Sequence, residues 1–263
     1  MKNFSFILFT LSVIFLTYSV ARFTFNRYSY SINNPRITQE NLQEAKQSKN
    51  RVGYFTLDSR NIVITIFEET PTILYSPDNI KTIKEHIEST KFELGINGGF
   101  FLSNMKYAGL LYLDGQIKSD ISLGDSQVTH IVELGKKVKF IDQKIFNFDN
   151  INQNYSYFQS GPLIIENNNI KQDLIEKAPN GYKKTFRSFF GIVEETDQKF
   201  FVQIINSVDL LESAKIILNF ERFRNKKITV INLDGGSSVS FYSKSRPDLN
   251  FLVNKKLPMI LAI

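Results

Sequence analysis

From residue 51 onward the chain is dominated by short apolar runs separated by tight polar breaks, most of them too short for helices. Val52–Leu57 and Ile62–Phe67 are β-branched or aromatic runs joined by Asp58-Ser59-Arg60-Asn61, which predicts a hairpin. Leu110–Leu113 and Gln116–Lys118 around Asp114-Gly115 predict a second, because Asp-Gly suits a two-residue turn. Val128–Leu134 with Val138–Ile141, and Phe189–Val193 with Phe200–Ile205, predict two more. Phe92–Ile96, Leu163–Ile165, Ile228–Leu233, Val239–Tyr242 and Leu257–Ile263 read as further strands, and Tyr155–Phe158 leads into Gln159-Ser160-Gly161-Pro162. Helical spacing appears twice. Ile80, Ile83 and Ile87 follow Ser76-Pro77-Asp78, and Leu210, Leu211, Ala214, Ile217, Leu218 and Phe223 form one face behind Asp209. Residues 171–184 fit a short helix or an open loop. Many strands and few helices predict an α+β domain over 51–263, with a mixed, largely antiparallel β-sheet and a few packed helices.

The beginning of the chain has a different pattern. Lys2 precedes an uncharged run from Asn3 to Ala21, and Arg22 follows. As a helix, Phe4–Ala21 would span about 27 Å, close to a thin hydrocarbon core. The basic start, apolar centre and Ser19-Val20-Ala21 also match a secretory signal with its cleavage site. The expectation is a signal peptide or signal-anchor helix at 1–21 and a polar linker at 22–50. Export follows from either: membrane-anchored and facing outside the cytoplasm, or secreted or periplasmic after cleavage.

Composition narrows the chemistry. With 263 residues the chain can bury a sizeable core, and 24 Phe against no Trp place aromatic burial mainly on Phe. The absence of Cys excludes disulfides, thiolate zinc sites and a Cys nucleophile. His86 and His130 have no metal-ligand spacing and no triad context, and His86 is expected on a helix surface. The net charge of +6 is scattered in pairs such as Lys136-Lys137, Lys183-Lys184 and Lys226-Lys227. Such pairs read as solvated surface, and no nucleic-acid partner is expected. The phosphate-loop patterns G-x-G-x-x-G and G-x-x-x-x-G-K-[ST] are both missing.

Two segments break their strands in the same way: Asn97-Gly98-Gly99-Phe100-Phe101 and Asn232-Leu233-Asp234-Gly235-Gly236-Ser237-Ser238. Paired glycines let a backbone turn sharply and let a ligand approach its N–H groups. Asp234 stands at the mouth of the second turn. The plain alternative is a hairpin turn, the commonest meaning of Asp-Gly.

Four segments in order, the two above with Gln159-Ser160-Gly161-Pro162 and Arg187-Ser188-Phe189-Phe190-Gly191-Ile192 between them, resemble the signatures of the phosphodiester glycosidase family, whose bacterial members are often exopolysaccharide-related. Leu257–Ile263 is similar to the family's last strand, and the likeness spans residues 51–263. The second turn has two glycines where many members have three, which bears on the loop aimed at the ligand. The resemblance implies a hydrolase that cleaves the bond between an anomeric carbon and a phosphate in glycan-phosphate material of the cell envelope. A phosphomonoester leaves readily, so such a reaction needs a phosphate clamp and a nucleophile or base more than a strong general acid. Arg187 fits the clamp, because a guanidinium forks onto phosphate oxygens. Asp234 fits nucleophile, base or electrostatic stabiliser. Asn97, Gly98 and Gly99 on one side, Gln159, Ser160 and Gly161 on the other, and Asn232, Gly235, Gly236 and Ser237 are the expected substrate-binding set. Plain turn chemistry would use the same residue types. The residues single out no cofactor, and a divalent cation could sit on Asp234 with Asn97 or Asn232. Glu93, Asp125 and Glu166 are the other carboxylates weighed for a second catalytic role. The expected partners are a glycan or sugar-phosphate substrate, and the membrane if the N-terminal segment stays uncleaved. Two other classes compete: a non-catalytic glycan-binding module on a membrane stalk, and a metal-dependent phosphodiesterase.

Overall fold

A computed structural model describes residues 52–58, 61–177 and 183–263, all within one compact unit. The segments expected at 1–21 and 22–50 lie outside the described residues. In chain order the strands are β1 (Gly53–Leu57), β2 (Ile62–Phe67), β3 (Thr72–Tyr75), β4 (Leu94–Asn97), β5 (Leu111–Leu113), β6 (Gln116–Ser119), β7 (His130–Leu134), β8 (Val138–Asp142), β9 (Ser156–Ser160), β10 (Leu163–Glu166), β11 (Asn169–Ile170), β12 (Thr185–Val193), β13 (Gln198–Val208), β14 (Ile228–Asn232), β15 (Phe241–Ser243) and β16 (Met259–Ala262). Among the described residues three α-helices accompany them: α1 (Ile83–Glu88), α2 (Gln172–Lys177) and α3 (Leu210–Leu218).

The strands form three sheets. One runs β1-β2-β13-β12-β14-β10-β11, a second β15-β4-β16-β3 and a third β6-β5-β9-β7-β8. A mixed, largely antiparallel sheet was expected, and the antiparallel part holds throughout. Every strand pairing among the described residues is antiparallel, with no parallel pair. Hairpins join β1 to β2, β5 to β6, β7 to β8, β10 to β11 and β12 to β13, and the longer connections through α1, α2 and α3 join strands that do not pair with each other. The hairpin turns follow local chemistry: Asp58, Asp114 and Asp197 adopt positive φ, which Asp tolerates better than most residues.

One core joins the three sheets. Phe190 and Phe201 enter it from the first sheet, Leu94, Ile96 and Leu261 from the second, and Leu111, Val132 and Phe158 from the third. The outer face of the first sheet is covered by α3 and the 3-10 turn Glu221–Phe223, where Phe223 stacks on Phe200 at 4.4 Å between ring centres. Phe223, expected on the helix face, thus packs from this following turn. Ile83 and Ile87 of α1 pack on Leu257 and Ile260 beneath the second sheet. The start of α1 is set by Thr82 rather than by Ser76-Pro77-Asp78: Glu85 N donates to Thr82 Oγ1 and Thr82 N to Glu85 Oε2, a reciprocal cap. The residues before that cap include β3, a strand the periodicity did not reveal.

The chain passes between sheets at four places. Three of them are the conspicuous turns of the sequence: β4 leaves the second sheet at Asn97-Gly98-Gly99, β9 leaves the third at Ser160-Gly161-Pro162, and β14 leaves the first at Asp234-Gly235-Gly236. The second Gly-Gly turn is therefore not a hairpin. It carries the chain from β14 to β15, which belong to different sheets.

Candidate active site

The three passages meet. Asp234 N donates to the Gly98 carbonyl at 3.1 Å. Asn97 Nδ2 donates to the Asp234 carbonyl at 2.7 Å, while Asn97 Oδ1 accepts from Ser188 Oγ at 2.6 Å and from Ser240 N at 3.2 Å. Asn97 is buried, so its amide serves as a four-way tie between β4, β12 and the two ends of the second turn. Asn232 Nδ2 donates to the Gly161 carbonyl at 2.8 Å, and Ser160 Oγ donates to the Asn232 carbonyl at 2.7 Å. These bonds fasten the end of β9 to the end of β14.

Gln159 is wholly buried. Its Oε1 accepts from Leu110 N and Ser122 N, both at 2.9 Å, and its Nε2 donates to the carbonyls of Ser122 and Val128, both at 2.7 Å. Gln159 and Ser160 hold strands and loops in place, and substrate contact through either side chain would require these bonds to break. The first Gly-Gly turn also faces protein. Gly98 N donates to the Met259 carbonyl at 3.1 Å, and a Cβ on Gly99 would lie 2.1 Å from Tyr107 Oη. Gly99 is thus required by the approach of a buried phenol, whose hydroxyl donates to the Gln159 carbonyl at 2.5 Å.

The second turn is more open. Ser237 is exposed and Asp234, Gly235 and Gly236 are half-buried. Gly236 has φ +62°, a left-handed conformation that starts the 3-10 turn Gly236–Ser238 and favours glycine. Burial pushes the pKa of Asp234 above the usual Asp value, against the opposing pull of Ser238, the Lys255 ammonium and Gly235. The charge of Asp234 in turn adds to burial in raising the Tyr107 phenol well above its ordinary pKa.

Cationic groups lie on two sides of this turn. Arg187, near the start of β12, is largely buried; its Nη2 donates to the Lys183 carbonyl at 2.5 Å and its Nε to the Val208 carbonyl at 3.4 Å. Its Nη1 lies beside Gly235, 3.6 Å from where a Cβ would stand. On the other side Lys255 Nζ donates to Ser237 Oγ and Ser238 Oγ, both at 3.1 Å, and sits 4.9 Å from the Phe101 ring centre. Lys255 was not singled out in the sequence, where Lys255-Lys256 looks like any other basic pair. A cleft of about 440 Å³ runs along the turn, lined among others by Gly236, Ser237, Thr185 and the exposed edge of Phe186 against Phe251.

The other carboxylates weighed are occupied elsewhere. Glu93 accepts from Ser245 N at 2.6 Å, Asp125 from Gln127 N at 2.8 Å, and Glu166 pairs with Lys171 at 2.6 Å. Among the described residues, no three His, Asp or Glu side chains gather where they could hold a metal ion. A divalent cation at Asp234 would find one carboxylate, hydroxyls and amide oxygens, a thin donor set for a hard cation. His86 is buried rather than on the surface: its Nε2 lies 3.0 Å from the Leu257 carbonyl, pinning α1 to the chain before β16.

The sequence profile of the phosphodiester glycosidase family matches residues 90–261, a span that holds all four signature segments. The chain belongs to this family. No curated protein sequence matches it. Among solved structures it is similar to the catalytic domain of zebrafish N-acetylglucosamine-1-phosphodiester alpha-N-acetylglucosaminidase, auto-inhibited by its pro-peptide, with TM-score 0.54, 15% identity and 81% of each chain covered. It is also similar to a hypothetical protein from Synechocystis, with TM-score 0.51 and 10% identity over 76% of this chain and 58% of that one. At such identities these likenesses establish the phosphodiester glycosidase fold and leave the chemistry to the site itself.

Proposed function

We propose that this phosphodiester glycosidase family member hydrolyses sugar-1-phosphodiesters at the Asp234 turn. The observation that carries the reading is the placement of a half-buried carboxylate on a sheet-to-sheet loop with Arg187 on one flank and Lys255 on the other. A phosphodiester is an anion, and cations set around a turn suit its oxygens. The bond to be broken joins its phosphate oxygen to an anomeric carbon that becomes electron-poor as the leaving group departs. A carboxylate stabilises that carbon, attacks it, or takes the proton of an attacking water. Its raised pKa brings the group nearer neutrality, where a base that must also release a proton works best. Family membership supports the reading, because the reaction class is the one the family is named for.

Asn97, Asn232, Gln159 and Ser160 serve the reaction by fixing the three passages, and Gly235, Gly236 and Ser237 form the surface that meets substrate. The carbohydrate material of the cell envelope is the proposed source of substrate, and tethering or export by residues 1–21 is proposed from the sequence pattern. Among the described residues, no helix is long and apolar enough to cross a membrane.

The test is hydrolysis of a panel of sugar-1-phosphodiesters by the full chain, with water labelled by oxygen-18. Label in the released sugar supports cleavage at the anomeric carbon; label in phosphate would move the protein to the phosphodiesterase class. Arg187→Lys keeps the charge but loses the planar fork. Loss of one charge-assisted contact of about 2 kcal/mol corresponds to about thirtyfold in kcat/KM. Unchanged rates in both Arg187→Lys and Asp234→Asn would remove these residues from the mechanism.

A further inference from the structure

We infer that Lys255 is the residue that recognises the phosphoryl group at this site, taking a non-bridging phosphate oxygen where it now meets the Ser237 and Ser238 hydroxyls. The inference rests on the proposed function for the identity of the ligand, and on geometry for the residue. Lys255 is the partly exposed cation that touches the turn directly, and its contacts are those of a group waiting for an anion. Two neutral hydroxyls at 3.1 Å and an aromatic face at 4.9 Å hold the ammonium without neutralising it. Asp234 lies within its electrostatic reach, and the ammonium favours the charged form of that carboxylate. Ser238 is common to both groups, accepting from Lys255 at 3.1 Å and favouring the charged form of Asp234.

This arrangement separates two tasks. Direct pairing of Lys255 with Asp234 would quench both the anion site and the base. With Ser238 shared between them, the ammonium stays available to an anion while it favours the charged form of Asp234. An incoming phosphoryl oxygen exchanges a neutral acceptor for a charged one, which strengthens the bond to the ammonium. Arg187 lies on the other side of Gly235, with Nε and Nη2 on backbone carbonyls. Lys255, on a flexible stem with three rotatable donors, is the cation able to follow the phosphate as the bond to the sugar lengthens. The consequence is a division by charge: Lys255 selects anionic phosphodiesters over neutral glycosides and contributes little to the latter.

Calorimetric titration of the full chain with inorganic phosphate, together with amine acetylation read by mass spectrometry, tests this directly. Wild-type protein binds phosphate, Lys255→Met weakens it by about tenfold or more, and Lys255→Arg restores most of it. Phosphate protects Lys255 of the unmodified chain from acetylation, a readout that needs no variant and that a merely structural lysine would not give. Equal phosphate affinity in wild type and Lys255→Met, or no protection of Lys255, overturns the assignment even if phosphodiesters are hydrolysed. Lys255-dependent phosphate binding in a protein that turns over no phosphodiester upholds it and overturns the proposed reaction instead. Should Lys255→Met fail to fold, the protection experiment decides alone.

Discussion

Asn97 donates its side-chain amide to the backbone carbonyl of Asp234 at 2.7 Å, across 137 residues of chain. The bond clamps the base of the Asp234 turn to the end of β4, and the same amide oxygen holds Ser188 and the Ser240 N–H. Asn97→Ala strands the buried Ser188 hydroxyl and Ser240 N–H and the half-buried Asp234 carbonyl, each buried group costing about 1–3 kcal/mol when left unpaired. The expected loss of unfolding free energy is at least about 2 kcal/mol, read by urea denaturation at unchanged slope. A loss within 1 kcal/mol, on the order of a surface substitution, would show that Asn97 is not the tie described here.

Asp234→Asn is expected to abolish most activity and yet raise the melting temperature at neutral pH. Burial holds the folded-state pKa of Asp234 above its ordinary value. The fold therefore favours the protonated carboxyl. Its contribution is fully present below the unfolded pKa and is lost as pH rises through the folded one. Asparagine removes that loss, so the gap in melting temperature between variant and wild type should narrow as pH falls. A variant less stable than wild type at about pH 7.5 would contradict the assigned direction.

The clash between Gly99 and Tyr107 can be tested as a pair. A Cβ at Gly99 meets Tyr107 Oη at 2.1 Å and Cζ at 3.0 Å. Overpacking of this kind costs about 1–3 kcal/mol. Removing the hydroxyl relieves the nearest contact, so Gly99→Ala should be less harmful in a Tyr107→Phe background than in wild type. A double-mutant cycle of thermal or urea unfolding measures this coupling. Strict additivity would mean the turn relaxes away from the ring.

Acid should destabilise the protein through its two histidines. Burial holds both His86 and His130 below the ordinary histidine pKa of 6.5. The fold favours the neutral rings, so this stabilisation is complete above the unfolded value and is lost as pH falls through the folded values. His86→Gln keeps a group able to reach the Leu257 carbonyl and removes the titration. Its stability should fall less than that of wild type between about pH 7 and pH 5. Parallel pH profiles would exclude His86 as a source of the acid sensitivity.

Much of the strand pattern was readable because each strand of an antiparallel sheet shows its own alternation and each hairpin its own turn residues. The predicted hairpin of Val52–Leu57 with Ile62–Phe67 pairs as β1 and β2, with Leu57 opposite Ile62. β3 escaped because Thr72-Ile73-Leu74-Tyr75 is brief and follows Pro71. The turn at Asp234 carried a sequence signal, but that signal is equally that of a hairpin. Lys255 carried none, since a lysine in a basic pair acquires meaning only from what folds against it. His86 was misplaced on the surface because a short helix does not announce which neighbours cover it; the Leu257 carbonyl that buries it is 171 residues away.

By itself the sequence determined the β-rich class, most strand limits, the four ordered segments and the residue types available for chemistry, because these depend on local periodicity, turn stereochemistry and short motifs. Only the tertiary structure decided that three of those segments are passages between sheets, that Gln159 and Ser160 face inward as ties, and that Lys255 stands beside Asp234. Those outcomes depend on contacts between residues from 17 to 137 positions apart, made when three sheets close on one core. Their energies come from burial and from hydrogen bonds that exist only once the core has formed.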